Sequence, residues 1–228
     1  MKWLLSFVSA VLFSLMLTGG VWAREEIRNY LVDIEVRTDA SIEVTETITV
    51  KAEGNDIRRG IYRDIPLRAL DDRGLWSSIG FDLIEVLHNG QPSPYHTEWQ
   101  GRFFRILIGK ADVFIPHGEH EYAISYVIDK QLQHYDRYDE IYWNAIGNSW
   151  SFPILSAVAR VNLPEGAIAE HLAAVTGAVG QSGGDFEAYG EGESEVRFEL
   201  TKPLETEQGM TIAVRFTKGV VKPVGDSQ

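Results

Sequence analysis

The 228-residue sequence contains no cysteine. This absence excludes disulfide bonds, thiolate metal ligands, a nucleophilic thiol and the lipid-acceptor cysteine of a bacterial lipoprotein. A domain without disulfide bonds depends on its hydrophobic core for stability, and a chain of this length can bury a sizeable one.

Positive charge is scarce. The chain has 21 Lys and Arg residues against 33 Asp and Glu residues, which gives a formal net charge of −12. Binding to nucleic acid or to anionic lipid depends on Lys and Arg side chains, so the composition argues against both partners. Divalent cations remain compatible with this charge.

Long apolar runs are absent after the start of the chain. Lys2 precedes an apolar stretch over residues 3–17, and Val21 and Ala23 occupy the positions that a signal peptidase reads. We predict an export signal over residues 1–23, with an uncleaved anchor as the alternative. The protein is then exported, to the periplasm or to the extracytoplasmic face of the cytoplasmic membrane. No later run reaches the ~20 apolar residues that span a bilayer.

Period-two alternation dominates the rest of the sequence. Apolar residues alternate with polar ones over residues 30–36 and 42–50, and turn signals such as Asn89-Gly90 separate such segments. The pattern predicts an all-β fold, a two-sheet antiparallel β-sandwich over residues 24–218, followed by an unpacked tail or linker over 219–228. An enlarged sandwich and two smaller ones meeting near residues 109–118 are the alternatives. A short helix is conceivable only over residues 168–174.

Several ordered motifs carry a family resemblance. They are YLVDI at residues 30–34, VTE at 44–46, RRGIYRDIP at 58–66, GEHEY at 118–122 and YWNAIG at 142–147, with Trp150 and Pro153 after them. Together they resemble the N-terminal extracytoplasmic domain of the predicted membrane protein family called domain of unknown function 2207. The resemblance covers residues 27–218.

The resemblance implies an architecture and no chemistry. In that family a signal peptide precedes the extracytoplasmic domain, and transmembrane helices and often a Gly/Ser-rich tail follow it. This sequence ends at Gln228, before any such helix. Three alternatives stay open: a soluble member, a truncated or split reading frame, or a membrane part encoded separately.

Arginines are concentrated next to one predicted strand, in the order Arg58, Arg59, Arg63 and Arg68. In an extended strand Arg59 and Arg63 share one face with isoleucines, while Tyr62 takes the other face. One interpretation is a structural network in which Glu43, Glu46 or Asp64 partners the guanidinium groups. The other is a cleft in which Arg59, Tyr62 and Arg63 hold a carboxylate or phosphate of a partner.

Aromatic residues cluster around Asn144. Tyr142, Trp143, Trp150 and Phe152 are typical of a sandwich core. The alternative is a carbohydrate-binding or carbohydrate-active surface, in which Trp143 or Trp99 stacks on sugar rings and Asn144 binds hydroxyl groups.

Metal and catalytic motifs are weak or missing. His117, Glu119, His120 and Glu121 match no catalytic zinc spacing, and the acidic residues within 129–140 lack EF-hand spacing, although a calcium-stabilised loop is an alternative. No nucleophile elbow, phosphate-binding loop or dinucleotide fingerprint is present, so we expect neither cofactor nor metal. We therefore predict a non-catalytic binding or interaction domain whose partner is an envelope or membrane protein. The oligomeric state stays open.

Overall fold

The computed structural model describes residues 24–70 and 76–222, and this part of the chain folds into strands connected by turns and loops. The strands are β1 (Glu26–Val36), β2 (Ile42–Ala52), β3 (Gly60–Pro66), β4 (Arg68–Leu70), β5 (Trp76–Ser78), β6 (Phe81–His88), β7 (Gln91–Pro92), β8 (Tyr95–Gln100), β9 (Phe103–Gly109), β10 (Gly118–Ile128), β11 (Leu132–His134), β12 (Tyr138–Ile146), β13 (Ala157–Asn162), β14 (Ala169–Ala178), β15 (Phe186–Tyr189), β16 (Glu195–Leu200) and β17 (Gln208–Thr217).

One large sheet forms the first layer of the fold. Its eight strands lie in the order β15-β16-β13-β1-β2-β10-β6-β7. All neighbours are antiparallel except β1 and β13, which pair in parallel from Tyr30 opposite Ala157 to Glu35 opposite Asn162. The parallel pair is the one departure from the predicted antiparallel arrangement, and it follows from the long excursion of the chain between the two strands.

The second layer consists of two smaller sheets. A four-stranded sheet has the order β11-β12-β17-β14, and a three-stranded sheet has the order β3-β9-β8. The three-stranded sheet contacts the large sheet through Arg63 of β3, which reaches Glu46 of β2, and Phe104 of β9, which packs on Phe81 of β6. Buried residues of the four-stranded sheet, such as Ile141 and Val214, belong to the same hydrophobic cluster as those of the large sheet. A two-stranded ribbon, β4-β5, completes the described strands.

Alternation in the sequence is matched by alternation in burial. Along β2 every second residue from Ile42 to Ala52 is buried, and the inward side chains of both layers form one hydrophobic cluster. Because successive strand residues point to opposite faces, a period of two directs one set of side chains into this core. The predicted all-β sandwich is therefore confirmed.

Three details differ from the expectations or lie outside the structure. Residues 168–174, the only candidate helix, belong mostly to β14, because pairing with β17 overrides the weak helical pattern. The packed chain continues to Lys222, whose amide donates to the Thr38 carbonyl beside the buried Val221. The predicted export signal over residues 1–23 and the end of the tail over 223–228 lie outside the described residues.

Candidate functional site

Strand β3 carries the arginine motif, and its pleat separates the motif into two environments. Ile61, Arg63 and Ile65 are buried, whereas Tyr62 is only half-buried. Gly60, with a φ of +131°, is the first residue of β3, so Arg59 lies outside the ladder and lines the same surface cavity as Tyr62. The predicted inward face therefore holds for Arg63 but not for Arg59.

Arg63 is the cation of a buried network. Its side chain is 3% exposed, and it donates from Nε to Glu46 Oε2 at 2.6 Å and from Nη2 to Glu46 Oε1 at 2.9 Å. Its Nη1 donates to the Asp64 carbonyl at 2.6 Å. Of the three carboxylates that the sequence offers as partners, Glu46 binds Arg63. The carboxylate of Glu43 binds Arg37 instead, and that of Asp64 binds Arg105.

Two tyrosines complete the coordination of Glu46. Tyr126 donates its hydroxyl to Glu46 Oε1 at 2.6 Å, and Tyr30 donates to Oε2. Burial raises the pKa of both phenols well above its ordinary value, which keeps them protonated and able to donate. A fully buried carboxylate that accepts four hydrogen bonds is well satisfied, and the network links β1, β2, β3 and β10.

The same network joins two of the sequence motifs. A Cβ atom at Gly147 would lie 2.6 Å from Nη1 of Arg63. Because Glu46 and the Asp64 carbonyl hold this guanidinium, a larger residue at position 147 would have to displace it. The glycine of the YWNAIG segment is thus explained by the arginine of the RRGIYRDIP segment.

A surface cavity, which we call the basic cleft, lies at the start of β3. It has a volume of about 410 Å³. Its polar walls are formed by Arg58, Arg59, Tyr62, His96 and Lys110, with Asp56 as the single acidic residue among its lining residues. A cleft with three cations and one carboxylate is unusual on a chain whose formal net charge is −12.

The cations of the basic cleft differ from most strand arginines in their contacts. Within residues 24–70 and 76–222, Arg58, Arg59 and Lys110 have no salt-bridge partner. Arg59 instead lies over the ring of Phe114, 4.4 Å from its centroid. Most arginines of the eight- and four-stranded sheets pair with carboxylates, as Arg160 does with Asp33 and Arg215 with Glu140.

Two glycines shape the wall of the basic cleft. Gly60 of β3 lies opposite Gly109 of β9, and both have a positive φ. A Cβ at Gly60 would lie 1.8 Å from the Ile108 carbonyl oxygen, and one at Gly109 would lie 2.0 Å from that of Arg59. The two backbones therefore approach as only glycine permits, which places Arg59 and Lys110 on adjacent strand ends.

Glu25 fixes the loop below the basic cleft. Its carboxylate accepts backbone N–H groups from Glu53, Asn55, Asp56 and Ile57 at distances between 2.7 and 3.1 Å. Burial opposes ionisation, but these four donors together hold the pKa of Glu25 below its ordinary value. The loop that presents Asp56, and that leads into Arg58, is thereby tied to the start of the chain's first strand.

Tyr62 is held by its neighbours at the edge of the basic cleft. The Arg105 guanidinium lies 4.1 Å from the centre of the Tyr62 ring, and Arg105 in turn makes a bidentate pair with Asp64 at 2.7 and 2.8 Å. Tyr62 also lines a second cleft, of about 340 Å³, that runs to Trp150. It therefore presents a positioned aromatic ring between two surface cavities.

Trp143 and Asn144 lie elsewhere. With Arg63 they line a small cavity of about 130 Å³ beside Gly147, so the structure divides the five predicted site residues between two places. Trp143 is 4% exposed and packs in the core. Trp99 is exposed, but the Arg68 guanidinium lies 3.7 Å from the centre of its ring. The Trp143 indole is thus buried, whereas the Trp99 indole lies at the surface with Arg68 over one face.

Several members of the acidic and histidine clusters bind protein partners. Asp139 accepts bonds from His134, Lys218 and the Gly219 amide, and Glu140 accepts one from Arg215. His120 bonds to His88 and to the Pro116 carbonyl. Over the described ranges no three His, Asp or Glu side chains are arranged to hold a metal ion.

Sequence reasoning missed His96, Gly109 and Lys110 as members of the basic cleft. The sequence has one shared feature at these positions, since a glycine adjoins a cation both at Arg59-Gly60 and at Gly109-Lys110. The ladder between β3 and β9 brings these two dipeptides together across 49 residues of sequence. Without that register their relation cannot be recognised.

The fold and the cleft define an all-β sandwich domain with a cationic surface cavity. The chain belongs to the family described as predicted membrane protein (DUF2207) N-terminal domain, whose model matches residues 26–216. The resemblance found from the sequence motifs is therefore confirmed. In the part of the chain that the structure describes, no helix is long and apolar enough to span a membrane.

A curated relative and solved structures are also similar. The uncharacterized protein YciQ of Escherichia coli (strain K12) is 28% identical over 130 residues, which are 57% of this chain and 21% of that protein. Yeast LTA4 hydrolase in complex with bestatin has a TM-score of 0.54 at 14% identity, over 83% of this chain and 28% of that one. Native leukotriene A4 hydrolase from Saccharomyces cerevisiae has a TM-score of 0.51 at 14% identity, over 84% and 29%. At this identity the similarity shows the fold alone.

Proposed function

We propose that this domain is a non-catalytic binding module that acts on the extracytoplasmic side of the membrane. Its partner is an envelope or membrane protein that presents an acidic segment to the basic cleft. The observation that carries the proposal is the group of three cations around one cavity, Arg58, Arg59 and Lys110, which have no salt-bridge partner among the described residues. The remainder of the acidic surface repels such a segment and thereby directs it to this place.

The side chains of the basic cleft suit recognition of a protein. Guanidinium groups bind carboxylates in a bidentate geometry, and a positioned tyrosine adds apolar contact area at low entropic cost. Tyr62 is held in place by Arg105, and Arg59 by Phe114. The assignment of Arg59 and Tyr62 to binding is kept, while Arg63 supports β3 from within the core and does not contact the partner.

Site-specific photocrosslinking in the native envelope tests this function. A photoreactive residue replaces Tyr62, and a matched one replaces Tyr189, an exposed tyrosine on β15 at the edge of the large sheet opposite β7. We expect one discrete protein adduct from position 62 and none from position 189.

Charge reversal makes the same experiment decisive. Arg58→Glu together with Arg59→Glu should abolish the adduct from position 62 at an unchanged level of folded protein. An adduct that survives this change, or that forms equally from position 189, contradicts recognition by the basic cleft.

A further inference from the structure

We propose that a second cavity behind Arg59, the anion pocket, binds one compact anionic group, a carboxylate or a phosphate, that the partner of the basic cleft presents. The proposal rests on the proposed function and specifies the group that is recognised. The anion pocket has a volume of about 230 Å³, and its polar lining residues include Arg59, His88, Lys110 and Tyr122. It shares Arg59, Gly109 and Lys110 with the basic cleft.

Two buried hydrogen-bond donors lie in the walls of the anion pocket. The Nε atom of Arg59 and the hydroxyl of Tyr122 are both buried and unbonded within the described residues, and Tyr122 is 1% exposed. Burial raises the pKa of Tyr122 to about 12, so the phenol stays protonated and can donate. A buried polar group without a partner costs free energy, and an anionic oxygen can accept from both donors.

Charge and polarity in the anion pocket favour the same ligand. Arg59 and Lys110 contribute positive charge, and none of the lining residues is acidic. Pro94, Val113 and Ile115 form apolar walls beside these cations. Apolar walls lower the local dielectric and therefore strengthen the attraction between a cation and a bound anion.

The donors are positioned before any ligand arrives. The imidazole of His88 stacks on the ring of Tyr122, with centroids 4.5 Å apart and planes at 6°. His88 is itself bonded to His120 at 2.8 Å, and His120 is bonded to the Pro116 carbonyl at 2.8 Å. This chain of contacts ties the loop over residues 110–117 to β6 and β10, and the same loop provides Phe114, which holds Arg59.

The size of the anion pocket limits the ligand. Pockets for drug-sized molecules have volumes of ~300–1,000 Å³, so a cavity of about 230 Å³ suits a smaller group. A phosphate or a single carboxylate fits this description, and an acidic side chain, a chain terminus and a phosphorylated side chain of a protein all present one. The anions used as probes must therefore separate these sources.

Calorimetric titration of the full chain tests the anion pocket. Inorganic phosphate and acetate are titrated separately against a chloride background at constant ionic strength. We expect one saturable site for at least one of them. A site for phosphate alone indicates a phosphorylated group, and a site for acetate indicates a carboxylate. Failure of both to saturate overturns the proposal.

Three variants connect such a site to the donors. Loss of a charge-assisted hydrogen bond in Arg59→Gln should weaken binding about tenfold or more, and loss of one neutral donor in Tyr122→Phe about threefold to tenfold. Arg137→Gln is the matched control. This substitution removes the same charge as Arg59→Gln, and Arg137 lines neither cavity. Equal weakening by the control contradicts a specific pocket.

The two proposals fail in different ways. If the anion pocket is wrong but the function is right, the adduct from position 62 persists in the absence of phosphate or acetate binding. If anions bind, and Tyr122→Phe weakens their binding, but position 62 gives no adduct, the anion pocket is confirmed and the assignment of a protein partner is wrong.

Discussion

Removal of the Arg63 side chain should destabilise the fold far more than it affects any surface interaction. In Arg63→Ala the fully buried carboxylate of Glu46 loses its cation and two charge-assisted bonds, and retains only the hydroxyls of Tyr30 and Tyr126. Breaking a buried ion pair by removing one partner costs about 3–5 kcal/mol. This is a large part of the ~5–15 kcal/mol that separates folded from unfolded domains.

Urea unfolding monitored by tryptophan fluorescence measures this cost, because Trp143 and Trp150 are buried and report loss of the core. Thermal unfolding provides a second measurement. For a domain of this size a loss of 1 kcal/mol lowers the melting temperature by roughly 2–4 °C, so we expect the melting temperature of Arg63→Ala to fall by about 10 °C.

A double variant provides the control. Glu46→Gln combined with Arg63→Met replaces the ion pair by neutral groups of similar size, and replacement of a buried pair is often close to neutral. It should therefore be more stable than Arg63→Ala alone. If Arg63→Ala changes the free energy of unfolding by less than about 1 kcal/mol at pH 7, Arg63 is not the structural cation described above, and a binding role is favoured.

Three further predictions concern the surroundings of the two cavities. Glu25→Gln should lower the free energy of unfolding by about 1–3 kcal/mol at pH 7, since one amide oxygen replaces a carboxylate that accepts from four donors. Folding lowers the pKa of Glu25, so its contribution to stability is present above about pH 4.5 and is lost as the pH falls further. Plots of stability against pH for wild type and variant should therefore converge in acid. Gly60→Ala should lower the free energy of unfolding by about 3 kcal/mol or more, because Gly60 has a positive φ and its added methyl would meet the Ile108 carbonyl. The control Gly90→Ala should cost about 1 kcal/mol, because its added methyl meets nothing within 4 Å. Equal costs in urea titrations would refute the close approach of the two strands. Burial and, to a smaller extent, the neighbouring His120 lower the pKa of His88, so wild-type stability should fall as the pH decreases below about 6.5. The melting temperature of His88→Gln should depend less steeply on pH over the same range.

The sequence alone determined the fold class and the family. Period-two alternation in residues 30–36 and 42–50 is a local property of each strand, and it needs no knowledge of the neighbouring strands. The turn at Asn89-Gly90 is likewise encoded locally, and the structure forms it between β6 and β7 with positive φ at both residues. The ordered motifs identified the family because they are read directly from the chain.

Only the tertiary structure decided what each arginine does. Arg59 and Arg63 lie four residues apart and carry the same charge, yet one faces a surface cleft and the other binds Glu46 in the core. The difference comes from the start of β3 at Gly60 and from the packing of β3 on β2, neither of which is a local property. The anion pocket depends on residues from 59 to 122 that meet only when β3, β6, β9 and β10 are assembled. Pairing between distant strands is set by the burial of whole faces, and a linear pattern does not specify which faces meet.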